Sequence, residues 1–224
     1  LSVSFKAPHA PVEPDPQFDH IFKDRSYSRP LNYWRDNGKH ISNQAKLGRQ
    51  YLTEDGFGFE PKSFNWRMVK YNQQIFGVDV AISNIRQKLK ELELDDNTVI
   101  IFSSDNGYFN GNHGFSRKVL PYEEAVKAPM IIFDPRVNKL GNKLVNQLTA
   151  NIDIAPTILS LAGVPAPIEM DGKDLSVYFK KVSFFPAANY FYGVIYLVSG
   201  DKIVITTLLD PELERLRTVM PSKT

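Results

Sequence analysis

The sequence predicts an α/β domain, a largely parallel sheet flanked by helices, followed by a small antiparallel appendage. Three observations carry this fold class. Apolar residues at Tyr71, Ile75, Val78, Ile82, Ile85, Leu89 and Leu92 are spaced alternately four and three apart, as one stripe along a helix. Two short apolar runs, Thr98 to Phe102 and Met130 to Phe133, read as strands buried on both faces. A second helical pattern, Asn151 to Leu161, completes the order helix, strand, loop, strand, helix.

Taken in order, the chain opens with apolar and polar residues alternating from Leu1 to Lys6, a short strand with His9 at its end. The opening lacks an initiator Met and reads like the inside of a strand, so a mature or truncated start is expected. Pro8, Pro11, Pro14 and Pro16 then stiffen a loop that cannot be helical. From about Asp19 to Asn65 no periodicity emerges, and the segment reads as a long excursion with short helices. The helical stripe follows, with Arg86, Lys88, Lys90 and Glu91 on its wet side and Asp95-Asp96-Asn97 ending it. A glycine-rich loop from Asp105 to about Pro121 joins the two apolar strands. In the second helix Asp153 is the expected N-cap, Pro156 lies in the first turn and Gly163 supplies the stop. Tyr190 to Val198 and Lys202 to Thr207 flank Ser199-Gly200-Asp201, a hairpin pattern. The expected division is thus 1–181 for the α/β domain and 182–224 for the hairpin appendage.

Composition narrows the function classes. At 224 residues and 42% hydrophobic the chain can bury a core. A net charge of +2 gives no steer toward nucleic acid, and no apolar run nears the roughly 18 residues of a spanning helix. Neither nucleic acid nor membrane is therefore expected as a partner. There is no cysteine, which removes disulfides, thiolate metal sites and cysteine nucleophiles.

Chemistry concentrates at strand ends. In a parallel α/β sheet ligands gather beyond the carboxyl ends of the strands, where Asp105 and Asn106 stand. A carboxylate and an amide oxygen are hard donors, suited to calcium or magnesium. Gly107 permits a sharp exit and close backbone approach. The same three residues also make an ordinary turn. The following loop adds His113, able to protonate a leaving oxygen, and Lys118, able to hold an anion. A loop histidine is also commonly structural, and an exposed lysine is commonly only solvated. What singles these out is that five polar groups, His9 included, sit at strand ends or in loops of one predicted rim.

Leu94-Asp95-Asp96-Asn97-Thr98 through Gly107, then Gly111-Asn112-His113-Gly114, closely resembles the sulfatase family of the alkaline-phosphatase-like superfamily. Lys118, Tyr122-Glu123-Glu124 and Lys127 to Ile132 continue the pattern. Pro8-His9-Ala10-Pro11 is similar to the family's Pro-His-x-Pro element, and Asp153 to Thr157 to its Asp-x-x-Pro-Thr helix. Ordered matches run from about residue 1 to 175. The resemblance implies sulfuric ester hydrolysis, with Asp105 and Asn106 as ligands of one calcium ion. It further implies that His9 and Lys118 contact the sulfate, His9 being a candidate to protonate the leaving oxygen, and that His113 lies near the substrate. Export to the periplasm or outside the cell is implied in the same way.

The family attacks with a formylglycine made within a Cys/Ser-x-Pro-x-Arg element, and neither that element nor the accompanying aspartate pair is found here. The expectation is a carboxyl-terminal part of a sulfatase with an incomplete sheet, prone to association through it. The nucleophile and remaining calcium ligands would lie in a missing segment, and the chain alone would be inactive. Two alternatives stay open: a phosphatase or phosphodiesterase of the same superfamily, and a non-catalytic remnant binding a glycan or partner. Tyr33, Trp34, Arg35, Lys39, His40 and Trp66 could stack sugar rings and meet anionic groups, or pack the excursion onto the domain. A sulfated carbohydrate is the preferred substrate.

Overall fold

A computed structural model describes residues 1–33, 39–48, 61–140, 143–180 and 193–197. These fall into two compact units. One comprises Leu1–Glu93 and Phe109–Arg117, the other Leu94–Tyr108 and the described part of Lys118–Lys202.

The first unit is organised by helices. A short helix, α1 (Asn43–Lys46), is capped by Ser42, whose hydroxyl accepts from the Ala45 amide at 3.2 Å. The long helix α2 (Pro61–Glu91) has 31 residues, a length of about 46 Å at 1.5 Å per residue. Its proline start suits the first helical position, where an N–H is not needed. Ile75, Val78 and Ile82 are buried, confirming the middle of the predicted stripe, and Val69, ahead of it, is buried as well. The helix starts well before that stripe and takes in Phe64 and Asn65, residues at the end of the predicted excursion.

Polar side chains on α2 explain how an aperiodic segment is ordered. Gln73 is 1% exposed, and its Nε2 donates to the carbonyls of Asp19 (3.1 Å) and Ile21 (2.7 Å). Gln74 donates to Pro11 O at 3.1 Å, and Lys70 pairs with Asp19 at 2.6 Å. Phe18 and Phe22 meet Phe76 edge-on, at 5.4 and 6.0 Å between ring centroids. Residues 1–6, predicted as a strand, form none and are exposed. Alternation prepares a strand but its backbone groups need a ladder partner, and no pairing involves these residues among the described ones. His9 accordingly sits in a turn, its amide donating to Lys6 O at 2.8 Å, rather than at a strand end.

The second unit is built on a four-stranded sheet in the order β1-β4-β6-β5, with β1 (Ile100–Ser103), β4 (Ala128–Phe133), β5 (Lys143–Val145) and β6 (Gly193–Leu197). The two remaining strands, β2 (Phe109–Asn110) and β3 (Ser116–Arg117), pair antiparallel with each other within the first unit. The sheet is mixed: β4 and β6 are parallel, whereas β1–β4 and β5–β6 are antiparallel. The expectation of a largely parallel sheet therefore does not describe these strands. The reason lies between β1 and β4, where the chain returns through loops, the β2–β3 pair and the one-turn helix α3 (Glu123–Val126) with no crossover helix. At the edge of the sheet formed by the described residues, β1 is half-buried, not covered on both faces. In β4 Met130, Ile131 and Ile132 are at most 2% exposed, and Met130 and Ile132 join Val145 and Leu175 in the core. Of the predicted C-terminal hairpin, only β6 is described, and it pairs within this sheet; Lys202 to Thr207 lie outside the described residues.

The second helical pattern is α4 (Ile154–Leu161), preceded by a 3-10 turn over Asn151–Asp153. Gly163 adopts φ +74°, and the bonds Gly163 N to Ser160 O (3.1 Å) and Val164 N to Leu159 O (2.9 Å) make a Schellman stop. Asp153 is not a side-chain N-cap. Its carboxylate reaches back to the Ala150 amide (2.8 Å) and across to the Lys173 amide (2.8 Å). Thr157, fully buried, donates to Asp153 O at 2.6 Å and accepts from the Leu175 amide at 2.8 Å. Gly172 lies so close to Ile152 O that a Cβ there would overlap it. The Asp-x-x-Pro-Thr element is thus a latch that ties residues 172–175 to the helix start, which precedes the one-turn helix α5 (Val177–Lys180). Among the described residues no helix is long and apolar enough to cross a membrane.

Candidate active site

In the second unit, Asp105, Asn106 and Gly107 leave the end of β1 under tight constraint. The Gly107 amide donates to Ala125 O at 2.8 Å, and a Cβ at Gly107 would overlap the carbonyl oxygens of Glu124 and Lys127. Asn151 straps the same passage, its Nδ2 donating to Ser104 O (3.0 Å) and Asp105 O (3.2 Å). Asp105 Oδ1 accepts from the Asn106 amide at 3.0 Å, and Asn106 Nδ2 donates to Gly107 O at 2.7 Å. These bonds turn the other oxygens, Asp105 Oδ2 and Asn106 Oδ1, toward Lys118. Its Nζ donates to Asn106 Oδ1 at 3.0 Å and stands 3.6 Å from Asp105 Oδ2.

The backbone around Lys118 is strained, with Arg117 at φ +70° and Val119 at φ +99°. A β-branched residue at positive φ is costly and persists where surrounding structure imposes it, often at a functional site. Asp105, Asn106, Lys118 and Asn151 line a cavity of about 470 Å³ whose other walls include Leu120 and Met130. Thr149 also lines it, 2% exposed, with a hydroxyl that has no hydrogen-bond partner among the described residues.

Asp105 Oδ2 and Asn106 Oδ1, hard oxygens of the donor type calcium prefers, already converge on one positive charge, the Lys118 ammonium. Their number falls short of the roughly six to eight oxygens such an ion takes. Among the described residues no group of three or more His, Cys, Asp or Glu side chains stands ready to hold a metal.

The first unit holds the two predicted histidines. The His9 ring bonds through Nδ1 to its neighbour Ala10 O at 2.7 Å and is exposed. His113 sits in a tight loop with φ +55°, between Gly111 (+88°) and Gly114 (+78°). Gly111 is needed there because a Cβ would enter the Tyr33 ring. Tyr33 is itself buried against Phe64 (centroids 5.1 Å apart) with the Arg29 guanidinium 4.9 Å over its ring. Burial raises the Tyr33 pKa above the ordinary tyrosine value, partly opposed by Arg29. The His113 amide donates to Asn32 O at 2.7 Å, and its ring meets His40 Nε2 at 3.0 Å and Asn32 Nδ2.

The structure thus brings Asp105, Asn106 and Lys118 together in one unit and places His9 and His113 in the other. Asn151, Thr149 and Asn32 were not singled out from sequence. Asn151 carried a signal in hindsight, since it stands just ahead of the Asp153 motif; Asn32 and Thr149 carried none. Of the residues read as able to meet a sugar, Tyr33 packs internally, His40 joins His113 and Trp66 is 56% exposed. Trp34 and Arg35 lie outside the described residues.

The family model described as Sulfatase matches residues 1–164. The extracellular sulfatase SULF-1 homolog of Drosophila melanogaster is 35% identical over 176 residues, covering 78% of this chain and 15% of its own length. The N-acetylglucosamine-6-O-sulfatase of Bacteroides thetaiotaomicron is 34% identical over 115 residues, covering 50% of this chain and 20% of the relative. Human N-acetylglucosamine-6-sulfatase is 29% identical over 180 residues, covering 78% and 31%. The chain therefore spans between 15% and 31% of these relatives. Among solved structures, one in complex with its substrate D-glucosamine-2-N,6-O-disulfate superposes with TM-score 0.59 at 22% identity, covering 81% of this chain and 48% of that one. The phosphonate monoester hydrolase of Silicibacter pomeroyi gives TM-score 0.60 at 24% identity, covering 77% and 35%. At those identities the likeness speaks for the alkaline-phosphatase-like fold. With the family model spanning most of its length and the motif residues in order, this chain belongs to the sulfatase family.

Proposed function

We propose that this chain contributes to hydrolysis of a sulfuric ester of a carbohydrate. The observation that carries the reading is the convergence of Asp105 Oδ2 and Asn106 Oδ1 on Lys118 at a cavity, in a member of the sulfatase family. Asp105 and Asn106 would hold one calcium ion, which supplies Lewis-acid polarisation of the sulfate when bound. Lys118 then faces the ester as a fixed cation, opposing the negative charge that grows as the sulfur–oxygen bond breaks. Its partly buried position strengthens that effect relative to water. His9 is assigned protonation of the leaving oxygen, and His113 a place near the substrate, both on the family resemblance. The substrate class is supported by relatives named for N-acetylglucosamine sulfate esters, and a secreted or periplasmic setting by a relative named as extracellular.

The sequence has no cysteine and no Ser-x-Pro-x-Arg element to supply a formylglycine. The 224-residue chain by itself is therefore expected not to turn over sulfate esters. Two measurements test the proposal. Purified chain incubated with an aryl sulfate should give no product above the uncatalysed rate; turnover would show that another nucleophile operates. Terbium luminescence, reporting an oxygen-ligated site competed by calcium, should fall when Asp105 is replaced by Ala. An unchanged signal would remove Asp105 from the metal site.

A further inference from the structure

A side chain points where the two peptide planes meeting at its Cα send it, because each plane is rigid and only the rotations between planes are soft. At Asp105 both planes are held by one residue. Asn151 Nδ2 donates to Ser104 O at 3.0 Å and to Asp105 O at 3.2 Å, the carbonyls of the planes before and after the Asp105 Cα. Carbonyl oxygens only accept, so the end of the Asn151 carboxamide that faces them is the NH2 group, and its orientation is fixed. The second plane carries the Asp105 carbonyl at one end and the Asn106 N–H at the other. That N–H donates to Asp105 Oδ1 at 3.0 Å, so the plane Asn151 holds also turns the carboxylate. The next plane is held at Gly107, whose amide donates to Ala125 O at 2.8 Å. Between these two held planes Asn106 sends Nδ2 to Gly107 O at 2.7 Å and Oδ1 to Lys118 Nζ at 3.0 Å. A carbonyl at one end and an ammonium at the other fix that carboxamide too.

Asn151 is itself anchored. It opens the 3-10 turn Asn151–Asp153, which closes on Ala150: Asp153 Oδ2 takes the Ala150 amide at 2.8 Å, and the Asp153 amide donates to Ala150 O at 2.9 Å. Its side chain is exposed and lines the cavity shared by Asp105, Asn106 and Lys118. An exposed carboxamide buries little apolar area, so what it supplies here is orientation and not packing. We propose that Asn151 is a positioning residue: by holding both peptide planes of Asp105 it aims Asp105 Oδ2 and Asn106 Oδ1 at one cation. That cation is Lys118 Nζ in this structure and the calcium ion in the reading above. The calcium half rests on that reading, whereas the aim at Lys118 stands on the hydrogen bonds alone. Removing a group that orients metal ligands typically costs about 10–100-fold in metal affinity.

Asn151→Leu in the full 224-residue chain keeps the branched shape and removes the donor. Two measurements read it. In metal-free protein labelled with carbon-13 and nitrogen-15, the Asp105 carboxyl and Asn106 carboxamide carbons should shift, and exchange of the Asn106 amide should quicken. The Lys173 and Leu175 amides, which donate to Asp153 and Thr157, should stay as protected as in the parent. The urea midpoint should hold as well, because water replaces the donor at exposed carbonyls. In the second measurement, terbium titration competed by calcium should show affinity lowered by about 10–100-fold. Unmoved Asp105 and Asn106 carbons overturn the positioning role. So does loss of Lys173 and Leu175 protection in step with them, which would make Asn151 a structural tie of the latch. Shifted carbons with unchanged terbium affinity overturn the link from positioning to the metal. A parent chain that binds no calcium-competed terbium overturns the calcium assignment and the affinity half with it. The carbon-13 shifts then still decide the aim at Lys118, so the two failures are told apart.

Discussion

Replacing Asp153 by Ala should destabilise the second unit strongly, by an amount that follows from the bonds it makes. The residue is 7% exposed, and its two carboxylate oxygens take the amides of Ala150 and Lys173, each at 2.8 Å. Alanine leaves both N–H groups without their acceptor in a part-buried setting, at up to about 1–3 kcal/mol each, or about 2–6 kcal/mol together at most. Against a typical domain stability of about 5–15 kcal/mol this is a large fraction. Urea unfolding should show it as a midpoint lowered by about 1–3 M, taking an m-value of about 2 kcal/mol per molar. Asp153→Asn keeps one acceptor oxygen and should fall between the two. Hydrogen exchange at the Lys173 and Leu175 amides should quicken in Asp153→Ala before the core amides of β4 do. A midpoint within error of the parent, with Lys173 equally protected, would refute the latch and leave the motif as a helix start only.

Other outcomes follow from the same structure. Gly107→Ala places a Cβ against two backbone carbonyls that cannot rotate away, and should cost about 1–3 kcal/mol as overpacking; a thermal melt reads it, together with loss of the Asp105 terbium signal. Gly111→Ala forces a Cβ into the Tyr33 ring at φ +88°, and should shift the His113 ring resonances while leaving Asp105-dependent terbium binding in place. Burial, assisted by the Asp153 carboxylate, raises the Tyr178 pKa above the ordinary value. Its contribution to stability is therefore full below the ordinary tyrosine pKa and is lost as pH rises through the raised one. Tyr178→Phe should flatten that alkaline decline in a pH series of urea midpoints; an unchanged slope would assign the decline elsewhere.

Much of the fold was legible because it depends on short-range regularities. The stripe from Tyr71 to Leu92 located the long helix, and the Asn151 to Gly163 pattern located both the second helix and its stop. The apolar run Met130 to Phe133 located a buried strand. Where the reading failed, the deciding partner was distant in sequence. Leu1 to Lys6 alternate as a strand does, yet strand formation depends on a hydrogen-bonding neighbour that no local pattern supplies. The direction of β1 against β4 was set by the absence of a crossover helix between them. Gln73 looked like an ordinary polar helix position, but it holds the carbonyls of Asp19 and Ile21, more than fifty residues back along the chain.

For the site the same division holds. Residue type and order alone determined the sulfatase membership and nominated His9, Asp105, Asn106, His113 and Lys118, because hard oxygen donors, a cation and imidazoles follow one another in a family's spacing. Tertiary structure alone decided what each nominee touches. It turned Asp105 Oδ2 and Asn106 Oδ1 onto Lys118 by occupying their other atoms, and it paired His113 with His40 and Asn32, dozens of residues away. The physical reason is that side-chain chemistry is local to a residue, whereas the state of a carboxylate or an imidazole is fixed by the donors and acceptors that folding brings to it.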